Sequence, residues 1–342
     1  MTLPVALGTP PMEAHLVAEI PRDAGWQYEP KWDGFRCLAF RDGGEIRLQS
    51  KSGQPLERYF PEIVARLSAV DAPRFVVDGE LVVPVGPALS FDDLLQRIHP
   101  AASRVAKLAA ERPATLLIFD LLCDGDASLL AVPLHERRAR LEAFAARYVP
   151  DGDARLRLSP ATTALADVDA WYARVGGALD GVVAKRLDAP YHAGERDAVV
   201  KIKAIRSADC VVGGYRTSPG GDAVASLLLG LYDERGALDY VGHTSGFERA
   251  EKRALLERFR PLLAPESFTG RAPGGPSRWN RGKSAAWQAI RPELVLEVSF
   301  DQVTAGRFRH GTRPLRWRPE KHPHACTADQ IASNDRTIAL YA

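Results

Sequence analysis

Residues 26–50, WQYEPKWDGFRCLAFRDGGEIRLQS, alternate between apolar extended runs and turn dipeptides. WQYEP ends at Lys31, Asp33-Gly34 turns, FRCLAF extends, Asp42-Gly43-Gly44 turns again and EIRLQ returns. This reads as strand, loop, strand, turn, strand, the texture of an antiparallel α+β domain. Downstream, PEIVARLSAV carries a proline in its first turn and predicts a helix from residue 61. RFVVDGELVVP (74–84), ATLLIFDLL (114–122), LDGVVAKR (179–186) and AVVKIKAIR (198–206) predict strands. HERRARLEAFAARY (135–148) has the 3.6-residue period of an amphipathic helix.

After Arg206 the texture changes. CVVGGYR, ASLLLGLYDE, LDYVGHTS and ELVLEVSFD are short strands separated by turns, interrupted by one helix, FERAEKRALLERF (247–259). About five strands with one helix suit a small closed barrel of the OB type. A boundary is therefore expected near 206, giving domains 1–205 and 206–342. Charge changes at the same place. Residues 1–205 carry 25 Lys+Arg against 28 Asp+Glu, and residues 206–342 carry 20 against 15. The C-terminal part is the candidate polyanion surface. The Gly- and Pro-rich stretch 261–284 reads as a long loop, mobile or docked on a partner.

Composition excludes several classes. With 46% hydrophobic and 26% charged residues in 342, the chain is an ordinary globular protein rather than a disordered one. No apolar run approaches the ~18 residues of a membrane span. The N-terminus lacks the basic residue and uninterrupted apolar stretch of a secretory signal. Four scattered cysteines without a CxxC predict reduced thiols in the cytoplasm. No G-x-G-x-x-G follows a strand, and Gly282-Lys283-Ser284 lacks the first glycine of a P-loop, Ser277 standing there.

The chemistry lies in dispersed short elements: Glu29-Pro30-Lys31-Trp32-Asp33-Gly34-Phe35-Arg36, Asp78-Gly79-Glu80, Phe119-Asp120, Asp180-Gly181 through Lys185, Lys201-Ile202-Lys203, and Arg316-Trp317-Arg318-Pro319-Glu320-Lys321. Each alone is weak, since a K-x-D-G is more often a hairpin turn. Their order in one chain is far more specific. Strand alternation puts Asp78 and Glu80 on one face, Lys201 and Lys203 on one face, and Arg316 and Arg318 on one face. Two buried carboxylates beside valines need partners, which Mg²⁺ and a ribose hydroxyl could supply. Lys185 has the opposite parity from Asp180 in an ideal strand, which leaves it outside the expected site.

This ordered set resembles the covalent nucleotidyltransferases: ATP-dependent DNA ligases, RNA ligases and mRNA capping enzymes. The phrases YEPKWDGFR, ERYFPEI, QRIHPAASRV, LDGVVAK, KIKAIRSADCVVGGYR, SRWNRGK and LRWRPEK are closest to compact bacterial ATP-dependent DNA ligases of the ligase C type. The resemblance implies a nucleotidyltransferase (adenylation) domain of antiparallel sheets with helices, followed by an OB-fold β-barrel domain. It implies Lys31 as the nucleophile for ATP. A lysine is protonated at neutral pH and must be activated by neighbouring cations or desolvation. Glu29 matches the purine contact, Phe119 the ring that stacks on it, and Arg36 a residue near sugar and phosphate. Lys51 stands where relatives carry Arg and cannot reproduce its two-pronged phosphate contact. Glu80 matches the ribose and metal residue and Asp180 the second metal carboxylate, where most relatives have Glu. Lys201 and Lys203 match the α-phosphate pair, and Arg316, Arg318 and Lys321 the motif that closes over the leaving pyrophosphate.

The implied function is ATP-dependent sealing of 5′-phosphate/3′-hydroxyl nicks in duplex DNA through a lysyl-AMP intermediate, in DNA repair. ATP is the co-substrate, with Mg²⁺ or Mn²⁺. Nicked double-stranded DNA is the expected partner, with a repair polymerase or nuclease, for a monomer in the cytoplasm associated with the nucleoid. Two alternatives stand beside it: a ligase of RNA or mixed RNA/DNA strands, and a catalytically inactive DNA-binding OB protein.

Overall fold

The computed structural model describes residues 1–86, 88–173, 179–203, 205–274 and 286–332. Two compact units emerge, Met1–Ala204 and Ile205–Ser333. The Gly282-Lys283-Ser284 tripeptide and the phrase SRWNRGK lie outside the described residues.

The first unit is built on two sheets. A six-stranded sheet runs Leu156–Leu158, Thr115–Asp124, Arg74–Val82, Phe35–Asp42, Glu45–Ser50, with Ala127–Ser128 added to Thr115–Asp124. A four-stranded sheet runs His15–Leu16, Val199–Lys203, Leu179–Arg186, Trp26–Trp32. Pairing is antiparallel except where Leu156–Leu158 joins Thr115–Asp124 and His15–Leu16 joins Val199–Lys203. Asp33-Gly34 is therefore no hairpin turn. Trp26–Trp32 belongs to the smaller sheet and Phe35–Asp42 to the larger, and the chain changes sheets at this dipeptide. Gly34 is required there, because a Cβ would collide with the Leu81 carbonyl oxygen of the neighbouring strand.

Helices cover the larger sheet. Pro61–Ser68 places Ile63 and Leu67 in a core with Phe60, Phe75 and Leu81, and Leu134–Tyr148 adds Leu141 and Phe144. Phe91–Gln96, capped by the Ser90 hydroxyl, which accepts from the Asp93 N–H, Ala102–Glu111 and Leu165–Tyr172 are further short helices. A separate core of Tyr28, Trp32, Val182, Ala184, Val168 and Trp171 backs the smaller sheet. The N-terminal segment packs too, Val5 and Met12 being buried with Leu38, Phe40 and Tyr191.

The second unit is built on a six-stranded antiparallel sheet in the order Leu238–Thr244, Val224–Tyr232, Arg206–Thr217, Val295–Phe300, Arg313–Trp317, with Gln288–Ala289 added to Arg206–Thr217. The two outer strands approach at a single bridge, Thr244 to Thr312, where the Thr244 hydroxyl donates to the Thr312 carbonyl at 2.8 Å. This is a partly open OB-type barrel rather than the fully closed one expected. Arg249–Phe259 forms the helix and seats Leu255 and Phe259 in the barrel core. The stretch from 261 is not simply a free loop. Phe268 is buried against Gly213 and Gly230, where glycine leaves room for its ring. Among the described residues no helix is long and apolar enough to cross a membrane.

Candidate active site

Lys31 sits near the end of Trp26–Trp32, at the point where the chain leaves the smaller sheet. The antiparallel register sets Gly181 opposite Lys31 and Lys203, Val183 opposite Glu29 and Lys201, and Lys185 opposite Gln27. Glu29, Lys31, Lys185, Lys201 and Lys203 thus share the face of three adjacent strands. Asp180 joins them through a bulge. Leu179 pairs with Trp32 and Gly181 with Lys31, so Asp180 is the extra residue. Its carboxylate takes the Lys31 ammonium in an ion pair, and the Lys203 ammonium lies 3.4 Å away. Gly181 makes the bulge possible: its φ is +151°, and a Cβ would overlap the Ile202 carbonyl.

The bulge also corrects the parity argument about Lys185. That residue lines the same cleft as Lys31 and forms a buried ion pair with Glu29, Nζ to Oε2 at 2.7 Å. Gln27 donates to the other oxygen of Glu29 at 2.8 Å. The Lys185 ammonium also stands 4.5 Å from the centroid of the Phe119 ring.

The larger sheet supplies the other wall. Arg36 lies opposite Glu80 in register. Its guanidinium grips Asp78 with Nε at 2.5 Å and Nη2 at 2.6 Å, and its Cζ lies 4.7 Å over Phe119. Burial alone would lower the affinity of Arg36 for its proton, and Asp78 more than reverses this. Asp78 also accepts from the Tyr191 hydroxyl at 2.6 Å. The expectation that Asp78 needs a metal or ribose as partner is corrected: Arg36 and Tyr191 satisfy it. Asp120 is likewise spoken for, by a buried two-pronged pair with Arg137 at 2.9 and 3.0 Å.

Glu80 is different. Among the described residues its carboxylate makes no hydrogen bond or ion pair, yet it lines the cleft beside Lys31. Burial pushes its carboxyl up to about 7, against the pull of Lys31 and Arg36. Such a desolvated, under-partnered anion fits a divalent cation. Glu80 and Asp180 flank Lys31, and two carboxylates completed by water and phosphate are the donor set Mg²⁺ favours.

The cleft has a cavity volume of about 150 Å³ and brings together Glu29, Lys31, Arg36, Lys51, Glu80, Phe119 and Lys201. Burial lowers the Lys201 ammonium, and the neighbouring charges of Lys31, Lys51 and Lys203 add to this. Lys51 reaches the rim and pairs with Glu13 at 3.0 Å, and Arg196 holds the same carboxylate at 2.6 Å. The hydrogen bond from Lys51 and the help of Arg196 hold Glu13 below the usual carboxylate range. Sequence reasoning missed residues 11–14, which form one lip of the cleft. Nothing in their composition signals it. The Met12 N–H donates to Tyr191 and its carbonyl accepts from Arg36, and both contacts are long-range.

Arg316, Arg318 and Lys321 belong to the second unit and are held by its own carboxylates. Arg316 pairs with Glu297 at 2.6 Å, Arg318 with Asp209 at 2.8 Å and Glu320 at 2.6 Å, and Lys321 with Asp209 at 3.5 Å. Asp209 and Glu297 face each other across adjacent strands, so the three cations are gathered into one cluster.

A cleft that gathers Lys31 with Arg36, Lys51 and Lys201, on this pair of sheets followed by an OB-type sheet, is the arrangement of a nucleotidyltransferase fold. Comparison with known proteins narrows it. The ATP dependent DNA ligase domain matches residues 11–203 and the ATP dependent DNA ligase C terminal region matches residues 220–321. The chain belongs to the ATP-dependent DNA ligases. It is 43% identical to DNA ligase C of Mycobacterium tuberculosis, covering 97% of this chain and 96% of that one. It is 44% identical to DNA ligase C2 of Mycolicibacterium smegmatis, covering 97% of each. A solved structure of mycobacterial DNA ligase D complexed with ATP and MES aligns over 94% of this chain and 98% of its own, at 28% identity and a TM-score of 0.51. The protein is thus an enzyme that joins DNA with ATP as co-substrate and a divalent metal ion as cofactor, and nicked DNA is its substrate.

Proposed function

We propose that the chain seals 5′-phosphate/3′-hydroxyl nicks in duplex DNA in a repair setting, in three steps, the first two of which load and unload AMP on Lys31. The Lys31 amine, having lost its proton, attacks the α-phosphorus of ATP. A P–N bond forms, the bond to the β-phosphate breaks and pyrophosphate leaves. The 5′-phosphate of the nick then attacks the AMP phosphorus and releases the lysine. The 3′-hydroxyl finally attacks the 5′-phosphorus, AMP departs, and the strand is continuous. Charge neutralisation and positioning carry most of such chemistry.

The observation that carries this reading is the convergence of Lys31, Glu29, Glu80 and Lys201 in one cleft, with Asp180 on the lysine itself. Glu29 accepts the exocyclic amine of adenine, and Phe119 stacks on the base. Arg36 and Lys51 serve the sugar and phosphates, and Lys201 and Lys203 the α-phosphate. Glu80 serves the ribose. Glu80 and Asp180 would hold the divalent ion, which when bound offsets the charge of the triphosphate. The chain works as an adenylation domain, 1–205, and an OB domain, 206–342. Closure of the second brings Arg316, Arg318 and Lys321 to the departing pyrophosphate. It acts as a monomer in the cytoplasm on the nucleoid, alongside a repair polymerase or nuclease.

Incubation with ATP, Mg²⁺ and a singly nicked duplex tests the reading. Sealing is expected with a 5′-phosphate and a DNA 3′ side. Equal sealing of a 5′-hydroxyl nick, or sealing confined to RNA strands, contradicts it.

A further inference from the structure

Among the described residues lining the cleft, Lys185 is the cation with no part in the chemistry above, and its surroundings are unusually specific. Its side chain is 7% exposed and that of Glu29 4%. Both oxygens of Glu29 are engaged, Oε1 by Gln27 and Oε2 by Lys185. The arrangement is fixed by backbone register, with Gln27 directly opposite Lys185 and Glu29 two residues along the same face. A carboxylate this buried is costly without a counter-ion. A carboxylate oxygen has about two acceptor positions, so each oxygen of Glu29 keeps one free for a ligand.

We infer that Lys185 is a specificity-determining positioning residue: its ammonium, with Gln27, pins the Glu29 carboxylate so that its remaining lone pairs face the base, and the cleft takes a purine presenting an amine and rejects one presenting a carbonyl. The inference rests on the reading of Glu29 as the purine contact. The pinned Glu29 carboxylate offers lone pairs and repels the 6-carbonyl of guanine, whereas adenine presents a donor there. Without Lys185, Oε2 of Glu29 loses the partner that pins it, and the carboxylate can turn its lone pairs away from the base, so the discrimination weakens. The Phe119 ring beneath the ammonium adds a second anchor for it.

The test measures label retained on the full-length protein in denaturing gels, with α-labelled ATP and α-labelled GTP side by side. Lys185→Met and Lys185→Gln are each expected to lower the ATP-to-GTP ratio about tenfold or more, the scale of one mismatched buried hydrogen bond. Lys185→Arg, which keeps the charge, is expected to restore most of the ratio. A purely structural role would depress both nucleotides in parallel, and that outcome overturns the inference. Glu29→Gln separates the two readings. If it leaves the ratio unchanged, Glu29 does not read the base. If it shifts the ratio while both neutral Lys185 variants do not, the base contact stands and Lys185 plays no part in the choice.

Discussion

Lys31 is ion-paired with Asp180, although its partner across the strands is Gly181. The pair exists because a bulge at Asp180 turns that side chain onto the face it would otherwise avoid. Lys203 approaches the same carboxylate at 3.4 Å, so Asp180 neutralises two lysines that would otherwise repel each other.

Gly181→Ala is expected to destroy this geometry. The backbone there has φ +151°, and the new Cβ would meet the Ile202 carbonyl. Straightening the bulge would move Asp180 off Lys31. Adduct formation should fall at least about a hundredfold, and stability should drop by about 2 kcal/mol or more. Denaturant unfolding alongside gel retention of AMP label checks both.

Glu80→Gln is expected to stay folded and to lose most joining activity, since the charge facing the metal disappears while the volume is kept. The metal-free protein gives a second readout. The Glu80 carboxyl is raised to about 7 by burial, so ionising it costs stability as pH climbs from the ordinary carboxylate range through 7. At pH 8 without metal the variant should be the more stable protein by about 1 kcal/mol or more, and below pH 4 the two should converge. Mg²⁺ should raise the wild-type melting temperature and leave the variant's nearly unmoved.

How far the sequence reached differs from residue to residue. Lys201 and Lys203 share a face by simple alternation, which a strand reading delivers, whereas their meeting with Glu29 and Lys31 is set by the register through Leu179–Arg186. Lys185 was not legible as part of the site, because a one-residue bulge reverses parity and leaves no mark in the sequence beyond a glycine at 181. Asp78 looked like a metal ligand because its partners, Arg36 and Tyr191, lie 42 and 113 residues away. The lip formed by residues 11–14 was illegible for the same reason: its contacts are made across the fold, not along the chain. The barrel strands were readable from Gly-spaced apolar runs, whereas the incomplete closure at Thr244 and Thr312 depends on register that such runs do not encode.

Arg316→Ala combined with Arg318→Ala separates the steps. If these residues serve pyrophosphate departure, the variant should fail at Lys31–AMP formation by about a hundredfold and still seal a nick that already carries 5′-AMP. Normal adduct formation with failure on the pre-adenylylated nick would instead make them DNA contacts.

Binding to nicked DNA should weaken steeply with salt, by about a hundredfold or more between 50 and 200 mM, because phosphate contacts release counter-ions. Fluorescence anisotropy with a labelled nicked duplex measures the slope. A flat response would remove the basic second domain from the interface.

Lys31→Ala provides the most direct measurement of the covalent route. Wild-type protein incubated with ATP and Mg²⁺ should gain the mass of one AMP, and a peptide containing Lys31 should carry it. The variant should gain none and should still seal a nick supplied with 5′-AMP, since that step no longer needs the lysine nucleophile. An adduct of undiminished yield in Lys31→Ala, or AMP found on another lysine of the wild-type protein, would contradict the account.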